Sequence, residues 1–490
     1  MKKLKKYWNK PIKNRYLSGK ETFNFGLFAL GVSFLTCVIN YVATISYIPL
    51  FYNISSLHGY IIIFISTLLN FIILPFLSNK MEKTNTKYGR YKPYILCTLP
   101  LYIVLIILVT WIPYFNNEIN RIIYAYMTCV PLLVTNGFFY NMYQTMPNLI
   151  TPNAQERMDI MTPIGLIMGI APTILQIVAG PFRTYFINTG RPEYMAIRYL
   201  GIISVILGLI CVLFLLKVKE RTYKFKDEDK NISLKNSLKL LAKNKPLIIL
   251  STALILGSLS FFIIQFRTLI IQTRFSNDVR TALNISGIAL SIIGLATAIS
   301  VIMLPFLSRR MSKRNILILF TFISVLCNLF FVIVGYENIP VGKESIIIIT
   351  ILHFIISLNP YFMIIPIMLG DVADYQQYKT GKRLDGHIQN LIFTLPALMS
   401  QIFMILLFGI QKKIGFEPSN YSLNFISQNN TIVYSNVLQN TATRWFDIVS
   451  FISVISGLLM IIALLFYPLN NKTHDKISKS LKEKTDITNI

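Results

Sequence analysis

Apolar runs of about twenty residues recur along this chain, and shorter polar segments separate them. Each run is long enough to cross roughly 30 Å of hydrocarbon as a helix. The pattern predicts twelve spans, near residues 23–50, 57–78, 93–114, 120–145, 161–184, 196–216, 246–272, 283–307, 315–336, 346–370, 387–411 and 446–468. The expected fold class is all-α: a polytopic membrane protein with about twelve transmembrane helices.

An internal repeat divides those spans. LPFLSNKMEK starts at Leu74, and LPFLSRRMSK starts 230 positions later, at Leu304. Both copies end an apolar span and open a basic loop. The chain therefore resembles the plan of major facilitator transporters, with two pseudo-symmetric six-helix bundles related by an axis along the membrane normal. That resemblance implies a solute site near the midplane, between the halves.

Composition agrees with a membrane protein. Of 490 residues, 54% are hydrophobic and 14% charged, and mean hydropathy is +0.56. A soluble domain carries about 25% charged residues. The net charge of +26 lies mainly in short segments between spans, as positive-inside loops require, which argues against nucleic acid and for a lipid bilayer as the basic partner. The N-terminus holds eight Lys or Arg before its first acid, Glu21. Basic residues also fill the gaps after spans two and eight, so both termini are expected on the cytoplasmic side of the cell membrane. The expected division is a basic N-terminus at 1–22, a bundle at 23–216, a basic linker at 217–245, a bundle at 246–469 and a basic tail at 470–490. Within the linker, Ile232 to Leu241 is amphipathic and either lies on the membrane surface or is solvated. The first apolar run is too long for a secretory signal. The gap at 412–445 is polar, rich in Asn and Ser, and expected outside. The chain is expected to act as a monomer.

The chemistry points to recognition, not catalysis. No HExxH, P-loop or dinucleotide fingerprint is present. The four histidines are scattered, and the five cysteines lie in apolar runs with no CxxC. No enzyme activity and no cofactor are expected. Intramembrane charges are costly and mark candidate sites. Arg267 on span seven is the best placed of them: it either binds an anionic group or snorkels to the surface. Neutral polar residues are more plentiful. Asn40 and Tyr41 fall on span one, Tyr140, Asn141 and Gln144 on span four, Asn359 on span ten, and Gln389 and Asn390 on span eleven. Tyr140 and Gln144, spaced i, i+4, share a helix face. Such amides and phenols suit a hydroxyl-rich solute, or they join helices.

The most specific stretch is DVADYQQYKTGKRLDG, residues 371–386, between spans ten and eleven. With TKYGRYKPYIL at 86–96 and QERM at 155–158, it resembles the glycoside–pentoside–hexuronide:cation symporter family, the group of melibiose permease. The resemblance implies sugar or glycoside transport coupled to Na+, Li+ or H+. It also implies acids on span two, where this chain has Asn70 and Leu74, so Asn70 is the candidate cation ligand and the coupling ion, Na+ or H+, is open. A neutral Asn cannot carry a proton, and hard cations prefer carboxylates. Two alternatives stand beside a sugar transporter: a relative that moves a sugar acid or lipid-like solute, and a non-transporting sensor on the same fold. Asp371, Asp374, Lys379 and Arg383 are expected to close a cytoplasmic gate, the acids meeting basic groups such as Arg90 or Arg309.

Overall fold

The structure, a computed structural model, describes residues 16–480 except 45–46, 85, 90, 152–153, 190, 192–193, 221–239, 276–277, 382–384, 418–424, 429–430, 435, 471–472, 474–475 and 478–479. Fifteen α-helices are named here in chain order: α1 (Gly19–Val42), α2 (Tyr47–Tyr52), α3 (Ser56–Lys83), α4 (Lys92–Thr110), α5 (Glu118–Ile150), α6 (Ala154–Asn188), α7 (Tyr194–Val212), α8 (Lys245–Leu256), α9 (Arg267–Phe275), α10 (Val279–Arg310), α11 (Lys313–Val334), α12 (Lys343–Ser357), α13 (Tyr361–Thr380), α14 (Asp385–Ile414) and α15 (Asn436–Leu465). Among the described residues, nine helices are long and apolar enough to cross a membrane. Three predicted spans are each two helices: α1 with α2, α8 with α9, and α12 with α13. The amphipathic part of the linker lies largely outside the described residues.

Helix starts follow local chemistry. Ser18 and Glu21 form a reciprocal capping box on α1, each bond 3.3 Å. Ser312 accepts from the Asn315 N–H at the head of α11. Between the last two helices, where the sequence predicted a polar loop, a hairpin of β1 (Phe425–Gln428) and β2 (Thr431–Tyr434) forms. Helix α15 then begins at Asn436, ten residues before the predicted span. Its first turns are only moderately apolar, so hydropathy marks the membrane crossing and not the helix start.

Packing repeats from one half to the other. Helix α1 packs on α6 and α7, and α8 packs in the same way on α14 and α15. Helix α3 meets α5 as α10 meets α12, and α4 meets α5 and α7 as α11 meets α12 and α15. The two bundles join along two seams, α3 with α14 and α6 with α10. Within the first bundle, α1 and α7 touch backbone to backbone. A Cβ on Gly31 would lie 2.6 Å from the Val212 nitrogen and 2.7 Å from the Gly208 carbonyl oxygen. Small residues allow such approach, which is how helices gain contact where hydrocarbon supplies no hydrophobic drive.

Candidate functional site

The break between α8 and α9 is built by a neighbouring helix. Gly257 ends α8 against Met460 of α15, where any Cβ would overlap the methionine side chain. The backbone groups freed by the break are taken up by α15. Ser456 Oγ donates to the Leu256 carbonyl at 2.5 Å and accepts from the Leu259 N–H at 3.2 Å. Ser453 Oγ donates to the Leu259 carbonyl at 3.3 Å. Unwound backbone survives at membrane depth only with such partners. The second break, between α12 and α13, follows from Asn359-Pro360. Proline lacks the N–H a continuous helix needs, and Asn359 Oδ1 accepts from the Tyr361 N–H at 3.0 Å. Asn359 is buried and its Nδ2 has no hydrogen-bond partner. The breaks face each other: the Phe261 and Tyr361 rings meet edge to face at 5.8 Å.

Arg267 opens α9 directly after the first break. Its Nη2 donates to Ser357 Oγ at 2.8 Å, and its Nε lies 3.4 Å from His353 Nδ1. The guanidinium is therefore turned to α12, not toward the membrane surface, and no carboxylate pairs with it among the described residues. His353 is fully buried, stands against Phe331 at 5.5 Å, and its Nε2 has no hydrogen-bond partner. The sequence pointed to Arg267 and Asn359. It passed over His353 and Ser357, whose i, i+4 spacing on a helix preceding Asn-Pro was the available signal.

The first bundle presents neutral groups. Asn70 of α3 donates Nδ2 to the Leu133 carbonyl of α5 at 3.3 Å and rests on Gly137, while its Oδ1 is buried without a partner. Tyr102 donates to Asn136 Oδ1 at 2.6 Å, which makes Asn136 a tie between α4 and α5. Tyr140 and Asn141 are half-buried on α5. Tyr140 stands 6.0 Å from the ring of Tyr143, which is buried against Phe25 and Phe28 of α1. The side chains of Asn40, Tyr41, Gln144, Gln389, Asn390 and Arg309 lie outside the described residues, as do Arg90 and Arg383 entirely. An apolar pocket lined by Tyr47, Phe51, Leu175, Ala179 and Arg183 suits hydrocarbon better than hydroxyls.

The two motif-bearing loops are anchored inside each bundle. Gly89 has φ +115°, and its missing Cβ leaves room for the Glu220 carboxylate. Glu220 accepts from the backbone N–H of Lys92 at 2.8 Å and of Tyr91 at 3.3 Å, while Lys92 Nζ donates to the Val218 carbonyl. In the second bundle, Lys313 at the head of α11 pairs with Asp371, at 2.6 and 2.7 Å to its two oxygens. The partner described for Asp371 is thus Lys313 of its own bundle, while Arg90 and the side chain of Arg309, the basic groups named from the sequence, lie outside the described residues. The geometry is local because α11 begins beside the end of α13. Gln376 of the same motif accepts from Asn244 at 2.9 Å, and Gly381 ends α13 in the left-handed region. Asp374 is half-buried, and Lys379 is exposed on the last turn of α13. Single substitutions Asp371→Asn and Lys313→Gln are each expected to cost about 1 kcal/mol, given that both groups keep some exposure. A thermal melt of the Asp371→Lys, Lys313→Asp exchange should recover most of that loss.

Polar bonds between the bundles gather away from these loops. Glu417, just beyond α14, accepts from the Ser56 N–H at 2.7 Å and from Ser56 Oγ. Tyr60 donates to Gln411 at 2.5 Å, and Thr184 of α6 donates to Asn284 of α10 at 2.8 Å. Neither Glu417 nor Ser56 was singled out from sequence, because an acid outside a span reads as a solvated loop charge.

Comparison with known proteins gives the lineage. Residues 24–471 match the family model described as MFS/sugar transport protein. The isoprimeverose transporter of Lactiplantibacillus pentosus is 23% identical over 472 residues, covering 93% of this chain and 91% of the relative. The uncharacterized symporter YnaJ of Bacillus subtilis (strain 168) is 22% identical, covering 84% of each. Among solved structures, a D-xylose–proton symporter superposes with TM-score 0.58 at 13% identity, over 90% of this chain and 96% of the other. This multi-span membrane chain, no enzyme, therefore belongs to the MFS/sugar transport protein family, of the glycoside–pentoside–hexuronide type within the major facilitator superfamily.

Proposed function

We propose that this protein carries a neutral sugar or glycoside across the cell membrane by alternating access, acting as a monomer with both termini in the cytoplasm. The observation that carries the reading is the meeting of two helix breaks beside a buried polar group: Arg267, His353, Ser357, Asn359 and Tyr361. Guanidinium, imidazole, amide and hydroxyl groups match sugar hydroxyls, and the Phe261 and Tyr361 rings offer faces for a pyranose. The orientation rests on the basic loops after spans two and eight. With that orientation, the Ser56–Glu417 end faces outward, and the bonds between bundles there correspond to a state closed to the outside. Asp371, Asp374, Lys379 and Arg383, with Arg90 and Arg309, are the candidates for the opposite gate.

Sodium is poorly served at span two. Hard cations are held by several oxygens, carboxylates among them, and Asn70 supplies one neutral oxygen. Uptake of labelled glycosides into cells tests the reading directly. Accumulation or exchange above an empty-vector control is expected, whereas binding without either would turn the protein into a sensor. One observation favours a second cargo: Arg267 has no acidic partner among the described residues, which suits a sugar acid. An Arg267→Ala variant that loses only acidic sugars would select that cargo.

A further inference from the structure

We propose that Glu417 is a proton-binding site whose occupancy is tied to the sealing of one end of the seam between the two bundles. The carboxylate follows α14 in the second bundle, yet both of its hydrogen bonds go to Ser56, the first residue of α3 in the first bundle. Ser56 is fully buried there. One turn along α3, Tyr60 is fully buried within the apolar core of the second bundle, 5.7 Å from the Phe408 ring, and donates to Gln411. Gln411 in turn donates to the Phe416 carbonyl at 3.1 Å, which fixes the turn that carries Glu417. Every contact in this set crosses the seam or positions one that does. The bonds of Ser56 to Glu417 and of Tyr60 to Gln411 cannot survive separation of the bundles at this end.

The charged surroundings are simple. Helix α3 offers Ser56, Tyr60 and His58, and His58 Nδ1 is turned to Tyr126 Oη at 3.2 Å. Helix α14 offers Gln411 with Lys412 and Lys413, both exposed. No basic side chain pairs with Glu417 among the described residues, and its Oε2 takes part in neither bond to Ser56. Burial pushes the carboxyl up from its ordinary value, and the bonds from Ser56 offset this only in part. The sign follows from linkage. A glutamate in the separated state is solvated and titrates near its ordinary value, so the sealed state holds the proton more tightly. As pH falls through the raised value, the sealed state gains population, and the gain is complete below the ordinary value. As a coupling device this rests on the alternating-access reading: proton uptake from the side that Glu417 faces would close that side behind the solute. It also places proton sensing at the bundle seam, outside the apolar spans.

The test uses the full-length protein in lipid nanodiscs, with spin labels at Tyr114, 89% exposed on the first bundle, and Asn338, exposed on the second. Pulsed-resonance distances are recorded from about pH 8 down to about pH 4, below the ordinary glutamate value. The short-distance population should grow as pH falls in the unsubstituted chain. Glu417→Gln, which keeps the acceptor oxygen and stays neutral, should hold the short distance throughout and lose the pH response. Glu417→Ala should favour the long distance and lose it too. An unchanged pH response in Glu417→Gln, or none in the unsubstituted chain, would overturn the proposal. The distances need no substrate, so absent sugar uptake with this pattern intact would reject the transport reading and leave the proton site standing.

Discussion

Replacing Arg267 with Ala is expected to reduce solute uptake about 100-fold while leaving folded protein in the membrane. The guanidinium holds Ser357 at 2.8 Å and faces His353 Nδ1, so it ties the start of α9 to the last turns of α12 on either side of the two breaks. A hydrogen bond from a charged donor contributes roughly 1.5–3 kcal/mol, and each 1.4 kcal/mol is about tenfold in an equilibrium. Loss of both contacts reaches about two orders of magnitude if they position the solute. Arg267→Lys keeps the charge but not the fork that reaches two partners at once. It should recover about a tenth of the activity or less. Initial uptake rates, normalised to the amount of folded protein, measure both variants. Uptake of Arg267→Ala within about twofold of the unsubstituted chain would remove the residue from the site.

The largest stability effect is expected at Gly31. A methyl group there meets the backbone of α7 at 2.6 and 2.7 Å, and backbone cannot swing aside as a side chain tip can. Overpacking of this kind costs about 1–3 kcal/mol for small additions. Gly31→Ala should therefore melt several degrees lower in detergent, and Gly31→Leu should fail to accumulate. Gly370, within α13, is the control: a Cβ there has no neighbour within 4 Å. Alanine is favoured over glycine in a helix by about 1 kcal/mol, so Gly370→Ala should match the unsubstituted chain or exceed it. Equal melting of the two alanine variants would show that α1 and α7 separate more easily than their contact suggests.

The sequence located the membrane crossings because hydropathy is a sum over side chains, and bilayer thickness sets its length scale. It missed where span seven breaks, because that break depends on other parts of the chain. Nothing in LGSLSFF reveals that Ser453 and Ser456, some two hundred residues away, satisfy the carbonyls of Leu256 and Leu259. The break in span ten was more legible, since Asn359-Pro360 carries its own cause. The motif at 371–386 named the family, yet its described contacts, Asp371 with Lys313 and Gln376 with Asn244, hold the second bundle together. Arg267 was found because charge inside a span is rare. His353 was passed over because a lone histidine gains meaning only from the partner that packing supplies, and Glu417 because its burial comes from the opposite half.

Helix α3 has one more consequence. It runs 28 residues from Ser56 to Lys83, with Pro75 inside it, about 42 Å at 1.5 Å per residue. Its first residue is pinned to the other bundle by Glu417, and its last turn leads into the basic loop at 86–89. A rod held at one tip is a lever. A tilt of about 10° about Ser56 displaces the far tip by roughly 7 Å, wide enough to admit a sugar ring, while the pinned tip hardly moves. The long arm of this protein would thus turn a small rotation at one face of the membrane into an opening at the other.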